Sequence, residues 1–252
     1  MARFTDRSVI VTGGASGIGR ATALAFAAEG ARVMVADQND AGARAVAAAI
    51  RALGQRAESC CADIGDYEQC AALVAHTVRT FGGLHIAFNN AGIPGSMTKA
   101  VHEYELEEWN RMIAINLTGV FHCIKAEVPA LLASGGGAII NTASIAGLVS
   151  APHMASYVTA KHGVVGLTRS AALDLINLGI RVNAVCPAAV RTAMLEPALA
   201  IPGVGASMAA DHPIGRVAEA EEVAKVVLFL ASDDASFIVG HALTIDGGLT
   251  IR

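Results

Sequence analysis

Tyr157 and Lys161 stand four residues apart, and Ser144 lies thirteen residues before the tyrosine. Four residues make about one helical turn, so the phenol and the ammonium should share a helix face. A phenol normally keeps its proton to roughly pH 10. A neighbouring cation favours the phenolate and draws that pKa down. The pair therefore reads as an acid/base tuned to exchange a proton with a carbonyl or alcohol oxygen. The hydroxyl of Ser144 could hold the same oxygen in place. The spacing alone also fits a surface tyrosine beside a solvated lysine, so its meaning depends on its setting.

The second informative stretch is Thr12-Gly13-Gly14-Ala15-Ser16-Gly17-Ile18-Gly19, between an apolar run and a helical pattern. Glycines at 13, 17 and 19 permit a tight turn and close backbone approach to a diphosphate. The following helix N-terminus offers free N–H groups and the positive end of its dipole. In this strand–turn–helix context the pattern indicates nucleotide binding. Asp37 closes the next strand, eighteen residues after Gly19. A carboxylate there can accept hydrogen bonds from both adenosine ribose hydroxyls and would repel a 2′-phosphate, which favours NAD over NADP. Asp63, in Cys61-Ala62-Asp63-Ile64, either meets the adenine amino group or caps a helix starting near Asp66. Asn89-Asn90-Ala91-Gly92 follows another strand. Its asparagines can tie strands together, and Ala91 and Gly92 leave room for a ribose.

These segments need a frame that brings strand ends together. Apolar runs alternate with helical patterns along the whole chain. Strands are expected at 8–12, 32–36, 56–61, 84–88, 138–142, 181–185 and 242–245. Helices are expected at 17–30, 40–54, 66–81, about 105–133, 155–178 and 219–231. Seven strands alternating with helices predict an α/β fold, a doubly wound parallel sheet with helices on both faces. Hydrophobic residues make up 54% of the 252 and aromatics only 4%, which suits helices packed on a parallel sheet. No linker divides the chain, so residues 1–252 read as one domain. The stretch 187–216 is long and irregular, as functional loops often are.

The net charge of −4 without like-charge runs predicts no nucleic-acid or membrane partner. Five cysteines fit no zinc spacing, and no His/Cys/Asp cluster suggests a metal. They read as small hydrophobes in a reducing, cytoplasmic setting. The first residues lack the apolar core of a secretion signal, and no apolar stretch has the length of a membrane span.

With Asn116 and the stretch Pro187–Thr192 added, these motifs resemble the short-chain dehydrogenase/reductase family over nearly the whole length. The resemblance implies a Rossmann fold. Tyr157 becomes the general acid/base, Lys161 the binder of the nicotinamide ribose, and Ser144 the group that polarises the substrate oxygen. Asn116 would hold a water linking Lys161 to solvent. The expected NAD-binding set is Gly13, Ser16, Gly17, Ile18, Gly19, Asp37, Asp63, Ile64, Asn90, Ala91, Gly92, Tyr157, Lys161, Pro187, Val190 and Thr192. Ala188 departs from the family, where glycine is usual. Asp246-Gly247-Gly248 resembles a C-terminal signature with a role in chain reversal and subunit packing, and a homotetramer is implied.

The implied reaction is hydride transfer between NAD and a secondary alcohol or ketone. Substrate walls are expected from 93–97, 145–149, His153 and the loop 193–216, with Met194, Leu195, Leu199, Ile201, Val204 and Met208. That lining suits an apolar or cyclic small molecule, although the same residues could simply cover the core. Rival readings are a 3-oxoacyl carrier-protein reductase and a non-catalytic NAD-binding protein.

Overall fold

The computed structural model describes residues 2–251. Among the described residues nine strands form, seven of them in one sheet: β1 Ser8–Thr12, β2 Arg32–Asp37, β3 Ala57–Cys61, β4 Ile86–Asn89, β5 Gly137–Thr142, β6 Ile180–Pro187 and β9 Ala242–Ile245. The sheet order is β3-β2-β1-β4-β5-β6-β9, and every pairing is parallel. The chain winds outward from β1 to β3, then returns to lay β4 against the other side of β1. That reversal opens a crevice at the carboxyl ends of β1 and β4, where sheets of this type bind ligands.

The period-two alternation of the strands divides the core. Val9 and Val11 point into one apolar cluster with Phe26, Val46 and Val227, while Ile10 points into another with Leu73, Ile124 and Val164. The first cluster is covered by α1 Gly17–Ala28, α2 Asp40–Ala52 and α9 Ala220–Ala231. The second is covered by α3 Tyr67–Phe81, α5 Gly119–Ala133 and α6 Ala155–Leu175. The expected α/β, doubly wound, seven-stranded sheet is therefore present.

Three expected elements differ. The helix expected over 105–133 is α4 Leu106–Ile113, one π turn at Ala114–Thr118, then α5. Gly119 N–H donates to the Ala114 carbonyl, five residues back. The first helix stops at Ala28 because Gly30 takes a left-handed conformation. The irregular stretch 187–216 contains β7 Val190–Arg191, α7 Glu196–Leu199 and α8 Val204–Asp211. β7 pairs in parallel with β8 Ala218–Glu219 and pins the start of that stretch.

Candidate active site

A cavity of about 710 Å³ lies along the carboxyl ends of the strands. It is lined by Asn116, Ser144, Tyr157, Lys161 and every expected NAD-binding residue except Gly19. Gly19 lies behind the turn. A Cβ there would sit 2.1 Å from the Gly13 carbonyl oxygen, so its hydrogen lets α1 close on the turn. Gly13 itself has φ +64°, and its Cβ would be 2.9 Å from the Ala91 Cα. This turn is a cradle that side chains would fill. Ser16 is the N-cap of α1 and makes no side-chain cap bond, which leaves its hydroxyl available for a phosphate oxygen.

Around the cradle, side chains lock the strand tips. Thr12 Oγ1 accepts from the N–H groups of Asn90 (2.9 Å) and Ala91 (3.1 Å). Asn90 Nδ2 donates to the Thr12 carbonyl (3.1 Å), and Thr142 Oγ1 donates to Asn90 Oδ1 (3.3 Å). The strand-tying role expected of these asparagines is thus seen across β1, β4 and β5. Asp37 accepts from Ala15 N–H on one carboxylate oxygen (3.1 Å) and from Asn39 N–H on the other (2.9 Å). It braces the turn from the β2 end while lining the cavity. Of the two readings of Asp63, the cap is ruled out. Asp66 caps α3 by accepting from Glu68 N–H, while Asp63 accepts from Gly65 N–H and faces the cavity.

Ser144 follows β5 and caps a short 3₁₀ turn, accepting from Ala146 N–H (3.1 Å) and donating to the Pro187 carbonyl (3.3 Å). That turn is pressed onto α6, since a Cβ on Gly147 would lie 2.6 Å from the Lys161 carbonyl oxygen. The contact fixes Ser144 relative to Tyr157 and Lys161, which α6 carries one turn apart. Lys161 is buried and its Nζ donates to the Thr142 carbonyl (2.7 Å), 5.6 Å from the Tyr157 ring centre.

The electrostatics depart from the expectation that Lys161 lowers the Tyr157 pKa. Burial dominates both groups. It pushes the phenol up, with Ser144 working the other way, and pushes Lys161 down to about 8. Each charge is unfavourable here alone, and each is what the other needs when a proton moves.

Asn116 sits on the π turn, fully buried. Its amide clasps the backbone of Ile93, accepting from the N–H (2.8 Å) and donating to the carbonyl (2.9 Å). The side chain therefore shapes the Ile93–Gly95 wall.

The substrate half is lined by Ile93, Met97, Ile145, Val149, Met154, Met194, Leu195 and Met208, as the apolar expectation required. Leu199, Ile201, Val204 and His153 are absent from the lining. His153 has φ +63°, is exposed, and uses its carbonyl to accept from Tyr104 Oη. Ile201 is exposed. Asp211 and His212 line the cavity from within the expected loop 193–216, while Met154 and Leu249 are among the lining residues outside the expected stretches. Leu249 arrives because the 246–248 turn docks on the loop. Ile214 N–H donates to the Gly247 carbonyl (3.1 Å), and a Cβ on Gly248 would lie 3.2 Å from Pro213. Asp246 holds that turn by accepting from Gly248 N–H and Thr250 N–H, the chain-reversal role expected of it.

Comparison with known proteins agrees with this geometry. A family model described as "Enoyl-(Acyl carrier protein) reductase" matches residues 13–250. The chain is 46% identical to cyclohexanol dehydrogenase of Acinetobacter sp. (strain SE19), over 99% of this chain and 97% of that one. It is 47% identical to 2,5-dichloro-2,5-cyclohexadiene-1,4-diol dehydrogenase of Sphingobium indicum, over 99% of both. The crystal structure of carveol dehydrogenase from Mycobacterium avium in complex with NAD superimposes with a TM-score of 0.94, at 31% identity over the whole of both chains. With the glycine cradle, the clasped strand tips and the Ser144–Tyr157–Lys161 wall, these matches place the chain in the short-chain dehydrogenase/reductase family.

Proposed function

We propose that the protein interconverts a cyclic secondary alcohol and its ketone with NAD as the hydride carrier. The observation that carries this reading is one cavity whose single polar reaction wall, Ser144, Tyr157 and Lys161, adjoins a dinucleotide cradle and faces apolar side chains. The relatives' names point to ring alcohols, with one hydroxyl in one case and two in another. Among the described residues, Gly13, Ser16 and Gly17 would receive the diphosphate, Asp37 the adenosine ribose, and Pro187, Val190 and Thr192 the nicotinamide end. When bound, NAD supplies the acceptor for the hydride leaving the carbinol carbon.

The chain's own residues handle the proton. Tyr157 takes the hydroxyl proton as the carbon–hydrogen bond breaks, and the alcohol becomes a ketone. Ser144 turns its hydroxyl proton from the Pro187 carbonyl to that oxygen as it gains negative charge. Lys161 offsets the phenolate, which burial otherwise disfavours. Asn116 is assigned the water that passes the proton from Lys161 outward, in addition to its hold on Ile93.

Asp37 supports NAD over NADP, because a 2′-phosphate would meet its carboxylate. The carrier-protein substrate class is not favoured. Arg191 pairs with Glu219 (3.2 Å) and Arg216 with Glu222 (2.7 Å), so the arginines flanking the loop are engaged. All five thiols are free, which supports a reducing, cytoplasmic setting, and no helix among the described residues is long and apolar enough to cross a membrane.

The test is NADH production from cyclohexanol by the wild type and by Tyr157→Phe. The variant should lose at least about a thousandfold in kcat and keep NADH affinity within a few-fold. A variant that turns over normally would remove Tyr157 from its role.

A further inference from the structure

His212 is an ionisable side chain on the cavity wall that the proton chemistry does not use. It is 4% exposed and follows directly on α8. Its Nδ1 lies 2.7 Å from the Met208 carbonyl oxygen. A carbonyl only accepts, so Nδ1 carries the proton, and Nε2 of the neutral ring is an acceptor. Nε2 is buried and has no partner among the described residues. A buried acceptor left without a donor is unfavourable, and few native groups are left so. The cations Arg191 and Arg216 lie outside that wall, and among the described residues Lys161 is its only lysine or arginine. One buried acceptor without a donor, on a wall shared with Met194, Leu195, Met208 and Leu249, describes a site for a hydrogen-bond donor.

We propose that His212 is a specificity-determining residue, whose Nε2 accepts a hydrogen bond from a second hydroxyl group on a ring alcohol. This deepens the alcohol-dehydrogenase reading and rests on it. The ring's first hydroxyl meets Ser144 and Tyr157, and the second meets His212. Nε2 is closed within the wall, so the incoming hydroxyl displaces a side chain of the loop. Met208, whose carbonyl already binds the imidazole, is a flexible neighbour suited to give way.

The experiment compares kcat/KM for cyclohexanol with that for cyclohexane-1,2-, 1,3- and 1,4-diol. The wild type should prefer the best diol by about tenfold, the worth of one added neutral hydrogen bond. His212→Asn retains an amide N–H near the Nδ1 position but has nothing at Nε2, and should lose the preference. His212→Gln places an amide near Nε2 and should recover part of it. The ratio is internal to each sample, so a loss of folded protein cancels. A wild-type ratio near one, or one that His212→Asn leaves intact, would show a histidine that only buttresses the loop. If the wild type oxidises none of these alcohols, the ring-alcohol reading fails, and this one with it.

Discussion

Asp37 shows how one side chain can serve the fold and the ligand together. Both of its oxygens already accept a backbone N–H, which fixes the carboxylate at the β2 tip without neutralising it. Charge held so rigidly discriminates by repulsion. Asp37→Ser should lower the NAD-to-NADP ratio of kcat/KM by at least about tenfold, a loss on the order of 1.4 kcal/mol in discrimination. Steady-state kinetics with both cofactors measure it, and an unchanged ratio would move cofactor selection elsewhere. Most of the site was legible at this scale because glycine, aspartate and the Tyr–Lys spacing have few structural alternatives. His212 was legible only as a member of the loop 193–216, because a histidine after an alanine-rich segment carries no periodic signal and gains its meaning from the turn that docks Leu249 beside it. Spacing likewise reveals the neighbouring cation but not the burial of both groups, which pushes the phenol's pKa up and the ammonium's down.

Among the elements, the π turn and the core of β4 and β5 repay closest attention. The strands and helices were readable because valine-rich runs alternate with glycine-closed helices. The π turn was not, since one added residue leaves a sequence that still reads as continuous helix. Beneath the turn, α5 carries Glu127 into the core at 1% exposure. Asn89 Nδ2 donates to its carboxylate and to Asn141 Oδ1, both at 3.1 Å, and Asn141 donates to Thr168 on α6. Desolvation pushes the Glu127 pKa up to about 7. The folded carboxyl thus keeps its proton to higher pH than the unfolded one. Stability is greatest below the ordinary carboxylate pKa and falls as pH rises through about 7, by on the order of 3 kcal/mol in full. Glu127→Gln should flatten that decline in denaturant titrations between pH 5 and 8. A slope identical to the wild type's would place the pH sensitivity on another group.

At the scale of the whole molecule, large apolar side chains remain uncovered. Leu106 on α4, Phe121 on α5 and Leu173 on α6 are 80%, 46% and 77% exposed, all on helices of the same side of the sheet. Phe237 stands fully exposed before β9, the strand at the sheet's edge. Exposed patches of this kind mark association surfaces, and a homotetramer that covers both is the assembly we expect. Analytical ultracentrifugation should find four chains, and Phe121→Glu should give smaller species. A monomeric wild type would overturn this assembly.

Phe4 and Leu249 lie in unequal neighbourhoods. Phe4 stacks edge-on against Phe26, and Arg3 pairs with Glu29, near the amino edge of the sheet and away from the cavity. Leu249 forms part of the cavity wall itself. Replacing Leu249 with alanine would therefore widen the room open to an alcohol, whereas replacing Phe4 with alanine would hollow the core and leave that room as it is.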